Sequence, residues 1–232
     1  LLEDVCESHG AEFNGTRVGS IGDLSCFSFY FGHHMTTIEG GILCTDSEQI
    51  YQLAKMFRSH GFTREASEEV QNHYATTYPN LNPLFTFSVP GFNMRSTELN
   101  AVLGLNQLPR LDLAISKRKE NLRIWLDNLD SNLYYTEFDQ IGNSSFALPL
   151  IWSTNIKESI CKILEEEKVE YRLGTIGGGN QANQPYTKEY GYKVHGTLEN
   201  SNFIHNNSLY VGNHTDLTAE QIINLCKRLN NV

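Results

Sequence analysis

The chain has 232 residues, of which 40% are hydrophobic, 11% aromatic and 19% charged, enough for one sizeable domain or two small ones and too apolar for a disordered tail. With Lys+Arg 18 against Asp+Glu 27 the formal charge is -9, so no basic surface for nucleic acid or anionic lipid is expected, although a few local arginines can still hold a small anion. No apolar run reaches the roughly 20 residues of a membrane span, and Cys6, Cys26, Cys44, Cys161 and Cys226 lack CxxC spacing, which fits thiols in a cytoplasmic protein better than a disulfide framework or a metal site.

In chain order, Leu1-Leu2-Glu3-Asp4-Val5 reads as the end of a buried strand running into a charged turn, with neither an initiator Met nor a signal peptide, so the sequence is expected to begin inside a larger domain. Short β-prone runs lie within Ile21 to Phe31 and Gly41 to Cys44. Asp46 or Ser47 caps a helix whose face is Ile50, Leu53 and Phe57. This strand, loop, strand, helix order favours an α/β sheet. From Gln71 to Pro90 the pattern dissolves into Asn, Tyr, Thr and Pro and predicts a long irregular loop.

Ser96 or Thr97 caps the next helix, with Leu99, Val102, Leu103 and Leu108 facing inward. A longer amphipathic helix, about Leu111 to Leu129, carries Lys117, Arg118, Lys119 and Arg123 on its wet side. Beyond it, Phe146 to Trp152 predicts a strand, and Asn155 caps a helix with Ile156, Ile160, Ile163 and Leu164 on one face. Another strand is expected at Glu170 to Leu173, then the glycine-rich loop Gly177-Gly178-Gly179. Ser208 to Val211 predicts a short strand, and Thr218 to Gln221 matches a capping box opening the last helix. The expected division is 1-125 and 126-232.

The residues that carry chemistry are dense between 4 and 41: Asp4, Glu7, His9-Gly10, Gly22-Asp23, Phe27-Ser28-Phe29, Gly32-His33-His34 and Thr36-Thr37-Ile38-Glu39-Gly40-Gly41. This series resembles the sugar aminotransferase (DegT/DnrJ/EryC1/StrS) family of fold type I pyridoxal phosphate enzymes, with its EDxxxxHG, GD, FSF and GKxxTTxEGG segments. Gly91 to Arg95 looks like the family's GxNxR segment, and Glu98 to Leu111 like its AxLGxxQL helix. The resemblance implies an α/β, fold type I aminotransferase-like architecture: the C-terminal part of the cofactor-binding large mixed-sheet domain over 1-125 and a small α/β domain over 126-232, without the N-terminal part of the family domain.

At one position the sequence departs from the pattern. Where these aminotransferases carry the lysine that anchors the cofactor as a Schiff base, this chain has His33, and an imidazole cannot form that linkage because it offers no primary amine. The resemblance is therefore closest to the lysine-lacking branch, the pyridoxamine phosphate-dependent 3-dehydratases of 4-keto-6-deoxy nucleotide sugars. The scattered cysteines, 18 positions apart at their closest, give no iron–sulfur motif and point to the cluster-free, GDP-sugar type.

That branch implies pyridoxal/pyridoxamine 5'-phosphate held without a lysine link, glutamate as amino donor, and a homodimer with shared active sites. His33 is the expected catalytic acid/base, since an imidazole both accepts and donates a proton near neutral pH. Asp4 is expected at the pyridinium nitrogen, Glu7 at the cofactor ring and Ser28 at the cofactor phosphate, with Asn93 reaching across a dimer interface to the neighbour's cofactor phosphate. His60, Arg64 and Arg95 are the candidate substrate contacts, and His9 is expected to stack or pack. The alternative is an aminotransferase homologue that lost its lysine and serves as a pseudoenzyme or binding module.

Overall fold

The computed structural model describes residues 1–175 and 178–232. The expected glycine-rich loop therefore falls partly outside the described residues, at Gly177. The chain divides into two compact units, Leu1–Asp112 and Leu113–Val232.

In the first unit, β1 (Leu2–Asp4) lies parallel to β4 (Leu24–Ser28), and β4 is antiparallel to β5 (Gly41–Cys44), giving a mixed sheet of order β1-β4-β5. Between β1 and β4 sits a hairpin of β2 (Glu12–Phe13) and β3 (Thr16–Arg17). Its turn residues Asn14 and Gly15 have φ 51° and 77°, the left-handed pair that an Asn-Gly turn supplies at least cost. The Glu3 carboxylate accepts from the backbone N–H of Gly19 (2.6 Å), Ile21 (2.8 Å) and Gly22 (2.6 Å). One side chain of β1 thus fixes the loop that feeds β4.

Three helices follow, and in each the structure corrects part of the sequence expectation. In α1 (Glu48–Arg58) Ser47 is the cap, its Oγ accepting from Ile50 N, but the buried residues are Gln52 and Met56 while Phe57 is exposed. The expected loop over 71–90 is overlapped up to Thr77 by α2 (Glu68–Thr77), capped by Ser67 and without a buried residue, and then holds a short 3-10 turn at Pro83–Phe85. In α3 (Glu98–Gln107) Leu99, Val102 and Leu103, together with Leu108 just beyond it, are exposed rather than inward, and Gly104 is the buried position.

The second unit opens with α4 (Leu111–Asn128), whose first two residues belong to the first unit. An antiparallel sheet of order β6-β8-β7 follows, built from β6 (Ala147–Ile151), β7 (Tyr171–Leu173) and β8 (Ser208–Gly212). The helices α5 (Lys157–Glu166), α6 (Pro185–Tyr190), α7 (Glu199–Asn206) and α8 (Ala219–Leu229) complete it. Alternation along β6 turns Leu148 and Leu150 inward, where they join Trp125, Trp152, Ile160, Leu164, Leu209, Cys226 and Leu229 in one core.

Thr218 and Gln221 form the expected capping box, whereas α5 starts at Lys157 with no side-chain cap from Asn155. Arg118 is drawn inward rather than left on the wet side. It is 8% exposed, with Nη1 donating to Phe146 O (3.2 Å) and to Asn213 O, because backbone carbonyls there supply the acceptors that a buried guanidinium requires.

Candidate functional site

The ends of β1 and β4 are adjacent by register, Asp4 opposite Cys26, so the residues that leave both strands share one edge of the sheet. Asp4 closes β1 and accepts from Cys6 N at 3.1 Å. Its carboxyl is held below the usual carboxylate range, first by the Cys6 thiol, then by the Cys6 N–H, with a further contribution from the charge of His33. Burial is the main cause that pushes the Cys6 thiol up to about 12, so this sulfur stays a neutral donor and Asp4 stays ionised.

Ser28 closes β4, and its hydroxyl accepts from Tyr30 N at 3.3 Å. The loop beyond it carries His33, whose side chain is 10% exposed. The His33 Nδ1 lies 3.4 Å from Ser28 O and the ring packs edge-on against Tyr30. Its Nε2 lies 3.7 Å from Glu7 Oε1. Because a carbonyl only accepts, a hydrogen bond on that side needs the proton on Nδ1, and Nε2 is the nitrogen that faces the carboxylate. Burial raises the Glu7 carboxyl, against the opposing pull of His33. The structure thus brings Asp4, Glu7, Ser28 and His33 together. It sets Glu7 against the histidine, a pairing across 26 positions that a one-dimensional motif does not convey.

His9 packs as expected: it is 3% exposed, edge-on to Phe27 at 5.5 Å and 5.5 Å from the His34 ring. Neither ring nitrogen has a hydrogen-bond partner among the described residues, and burial pushes its pKa down to about 4, aided by the charge of His33. Between that value and the ordinary one near 6.5 the unfolded chain binds a proton that the folded chain refuses, so stability declines as pH falls through this window. From pH 7 to pH 5 the expected loss is about 2 kcal/mol, and His9→Leu should flatten it. Urea unfolding followed by circular dichroism at both pH values checks this; equal slopes in the two proteins would refute a buried neutral His9.

The remaining candidates sit on a different pair of segments. Gly61 and Gly91 pack back to back, where a Cβ on Gly91 would lie 2.2 Å from Gly61 N; only glycine allows that approach. The pairing continues through His60 N to Phe92 O (2.7 Å) and a bridge between Ser59 and Asn93. His60, at φ 60°, is exposed and edge-on to Phe62. The Arg64 guanidinium lies over the Phe62 ring at 3.9 Å and donates to Leu84 O at 3.0 Å. Arg95 Nε donates to Asn93 Oδ1 at 3.2 Å. These four are grouped with one another, and none figures in the contacts given above for His33.

Lysine, the residue type that forms a covalent link to an aldehyde cofactor, occurs once in residues 1–112. That residue, Lys55, lies on α1 with its ammonium 5.2 Å from the Tyr51 ring centre. What the site does offer is an ionised carboxylate, a hydroxyl at a strand end and an imidazole beside a second carboxyl. This set suits a cationic heterocycle carrying a phosphate, with proton transfer next to it.

A model of the DegT/DnrJ/EryC1/StrS aminotransferase family matches residues 1–230. GDP-4-keto-6-deoxy-D-mannose 3-dehydratase of Yersinia pseudotuberculosis is 35% identical over 232 residues, covering 97% of this chain and 58% of that protein. Among solved structures, the E. coli GDP-4-keto-6-deoxy-D-mannose 3-dehydratase with bound hydrated PLP superposes with a TM-score of 0.84 at 30% identity, over 99% of this chain and 60% of that one. A GDP-4-keto-6-deoxymannose 3-dehydratase with a trapped PLP-glutamate geminal diamine gives 0.81 at 30% identity, over 97% and 59%. The chain thus spans about three-fifths of the length of these relatives.

Proposed function

This chain belongs to the DegT/DnrJ/EryC1/StrS aminotransferase family, and from that membership we propose that its protein is a pyridoxamine phosphate-dependent 3-dehydratase. Its substrate is a GDP-linked 4-keto-6-deoxyhexose that loses the C3 hydroxyl, in the synthesis of deoxysugars for lipopolysaccharide O-antigen. Its α/β fold is that of pyridoxal phosphate-dependent aminotransferase-like structures. The observation that carries the reading is the geometry at His33, whose surrounding motif resembles the family's lysine segment: Nε2 faces Glu7 at 3.7 Å and the charge of the ring acts on Asp4.

The ionised Asp4 fits the ring nitrogen of the cofactor and Ser28 Oγ fits its phosphate, while Asn93 reaches across the dimer interface to the phosphate of the neighbouring subunit's cofactor. Bound there, the cofactor supplies a primary amine for the sugar ketone and an electron sink for the carbon–oxygen cleavage. His33 takes a proton at Nε2 and returns that proton to the departing hydroxyl, which leaves as water, with Glu7 facing the nitrogen at 3.7 Å. His60, Arg64 and Arg95, grouped on the 58–64 and 87–95 segments, face the sugar or its diphosphate. Glutamate restores the amine form of the cofactor, which is not held through lysine. The protein acts in the cytoplasm as a homodimer whose sites are shared. Among the described residues no helix is long and apolar enough to cross a membrane.

The test combines two measurements on the purified protein. Incubated with cofactor, glutamate and the GDP-ketosugar, it should yield a product lighter by one oxygen atom, and borohydride should trap no lysyl adduct. A product with an amino group in place of the keto oxygen, or a reducible adduct on Lys55, would overturn the assignment.

A further inference from the structure

The AxLGxxQL stretch of α3 has no part in the chemistry above, and its apolar residues do not explain it, since Leu99, Val102 and Leu105 are 78%, 64% and 70% exposed. What α3 turns inward is polar or bare: Asn100, Gly104 and Gln107, spaced four and three apart and so on one face. That face lies on the loop that follows His33. Gln107 Oε1 accepts from Thr36 N at 3.0 Å, and Gln107 Nε2 donates to Thr36 O at 2.9 Å. One side-chain amide therefore pairs both backbone polar groups of a single residue, as a neighbouring strand would. Asn100 Nδ2 donates to Thr37 O at 2.7 Å and Glu39 O at 3.1 Å. At Gly104 a Cβ would sit 3.2 Å from Thr37 Cγ2, so the bare glycine lets the loop pack close without displacing that methyl.

The loop needs such a hold. Its next residue, Ile38, has φ 73°, a region that a β-branched side chain rarely adopts and that persists only where surrounding bonds over-determine it. Its base is closed by Thr37 N to Phe29 O and Phe29 N to Gly40 O, both 2.9 Å. His33 hangs between two anchors, with Ser28 and Tyr30 before it and the Thr36 pairing after it.

Resting on the reading of His33 as the acid/base, we propose that Gln107 is a positioning residue. Its amide fixes the backbone at Thr36 and so sets the imidazole in its orientation between Ser28 O and Glu7.

Two substitutions separate positioning from general support: Gln107→Met, which keeps the length and removes the amide, and Gln107→Glu, which keeps only the acceptor for Thr36 N–H. In cofactor-free protein, Gln107→Met should speed hydrogen exchange at the Thr36 amide about five- to tenfold, the worth of one hydrogen bond. It should also shift the His33 ring resonances in the NMR spectrum while leaving β4 amides unchanged; Gln107→Glu should fall between it and the parent. In turnover assays Gln107→Met should lower kcat about tenfold at constant KM for the nucleotide sugar. Unchanged Thr36 exchange would overturn the inference, as would faster exchange with unmoved His33 resonances. Because neither of these readouts uses substrate, a protein inert toward the ketosugar would count against the functional assignment alone.

Discussion

Substituting His33 by Asn is expected to lower turnover by roughly 10²- to 10⁴-fold, the range of a single general acid/base, with cofactor affinity unchanged. The asparagine amide reaches as far as His33 Nδ1 and can still donate toward Ser28 O, as Nδ1 does at 3.4 Å, so the loop keeps its shape. What it lacks is a group that exchanges a proton near neutral pH. The cofactor contacts assigned to Asp4 and Ser28 do not pass through residue 33, which is why binding and turnover should separate. Spectroscopic titration with pyridoxal phosphate measures the first and product mass spectrometry the second. If His33→Asn turned over like the parent, the imidazole would not be the acid/base; a parent that binds cofactor but forms no product would favour the reading of the chain as a binding module.

The grouping of Asp4, Glu7, Ser28 and His33 leaves a different trace in the sequence from the helices around it, and the reason lies in what each kind of signal requires. Asp4, Glu7, Ser28 and His33 fall in short segments whose order along the chain is itself the signal. Their geometry is set by the register that puts Asp4 opposite Cys26. The opposition of Glu7 and His33 belongs to that register and has no one-dimensional trace. α2 escapes detection because it buries nothing, leaving no apolar stripe for periodicity to find; only Ser67 followed by Glu68 and Glu69 marks its start. The Asn14-Gly15 hairpin has a strong turn signal, but strands of two residues are too short to alternate.

α3 shows the deeper limit. Its leucines do recur at helical spacing, and the inference that they face inward fails because periodicity identifies a stripe without saying which stripe this chain covers. The face that is covered consists of Asn100, Gly104 and Gln107, whose contacts are hydrogen bonds and close backbone approach. Arg118 misleads in the same way, since a charge on a helix reads as solvated until the carbonyls of Phe146 and Asn213 are brought to it by the fold.

In the second unit the largest expected effect is on stability. Trp125→Ala should cost about 3–5 kcal/mol, the usual penalty for truncating a buried aromatic to alanine. Trp125 is fully buried on α4, and its Nε1 donates to Pro149 O on β6 at 2.7 Å, so one side chain both fills the core and ties helix to sheet. Trp125→Phe separates these contributions. It keeps most of the volume and strips the donor from the Pro149 carbonyl, for an expected loss of about 1–3 kcal/mol. The readout is specific to this unit because the only tryptophans in the chain are Trp125 and Trp152. In either variant the surviving Trp152, 2% exposed in the same core, reports its unfolding through fluorescence in urea. An unfolding midpoint for Trp125→Ala equal to that of the parent would mean that α4 does not pack on β6 through this ring. A Trp125→Phe loss as large as that of Trp125→Ala would mean that the hydrogen bond, rather than the packing, joins the two elements.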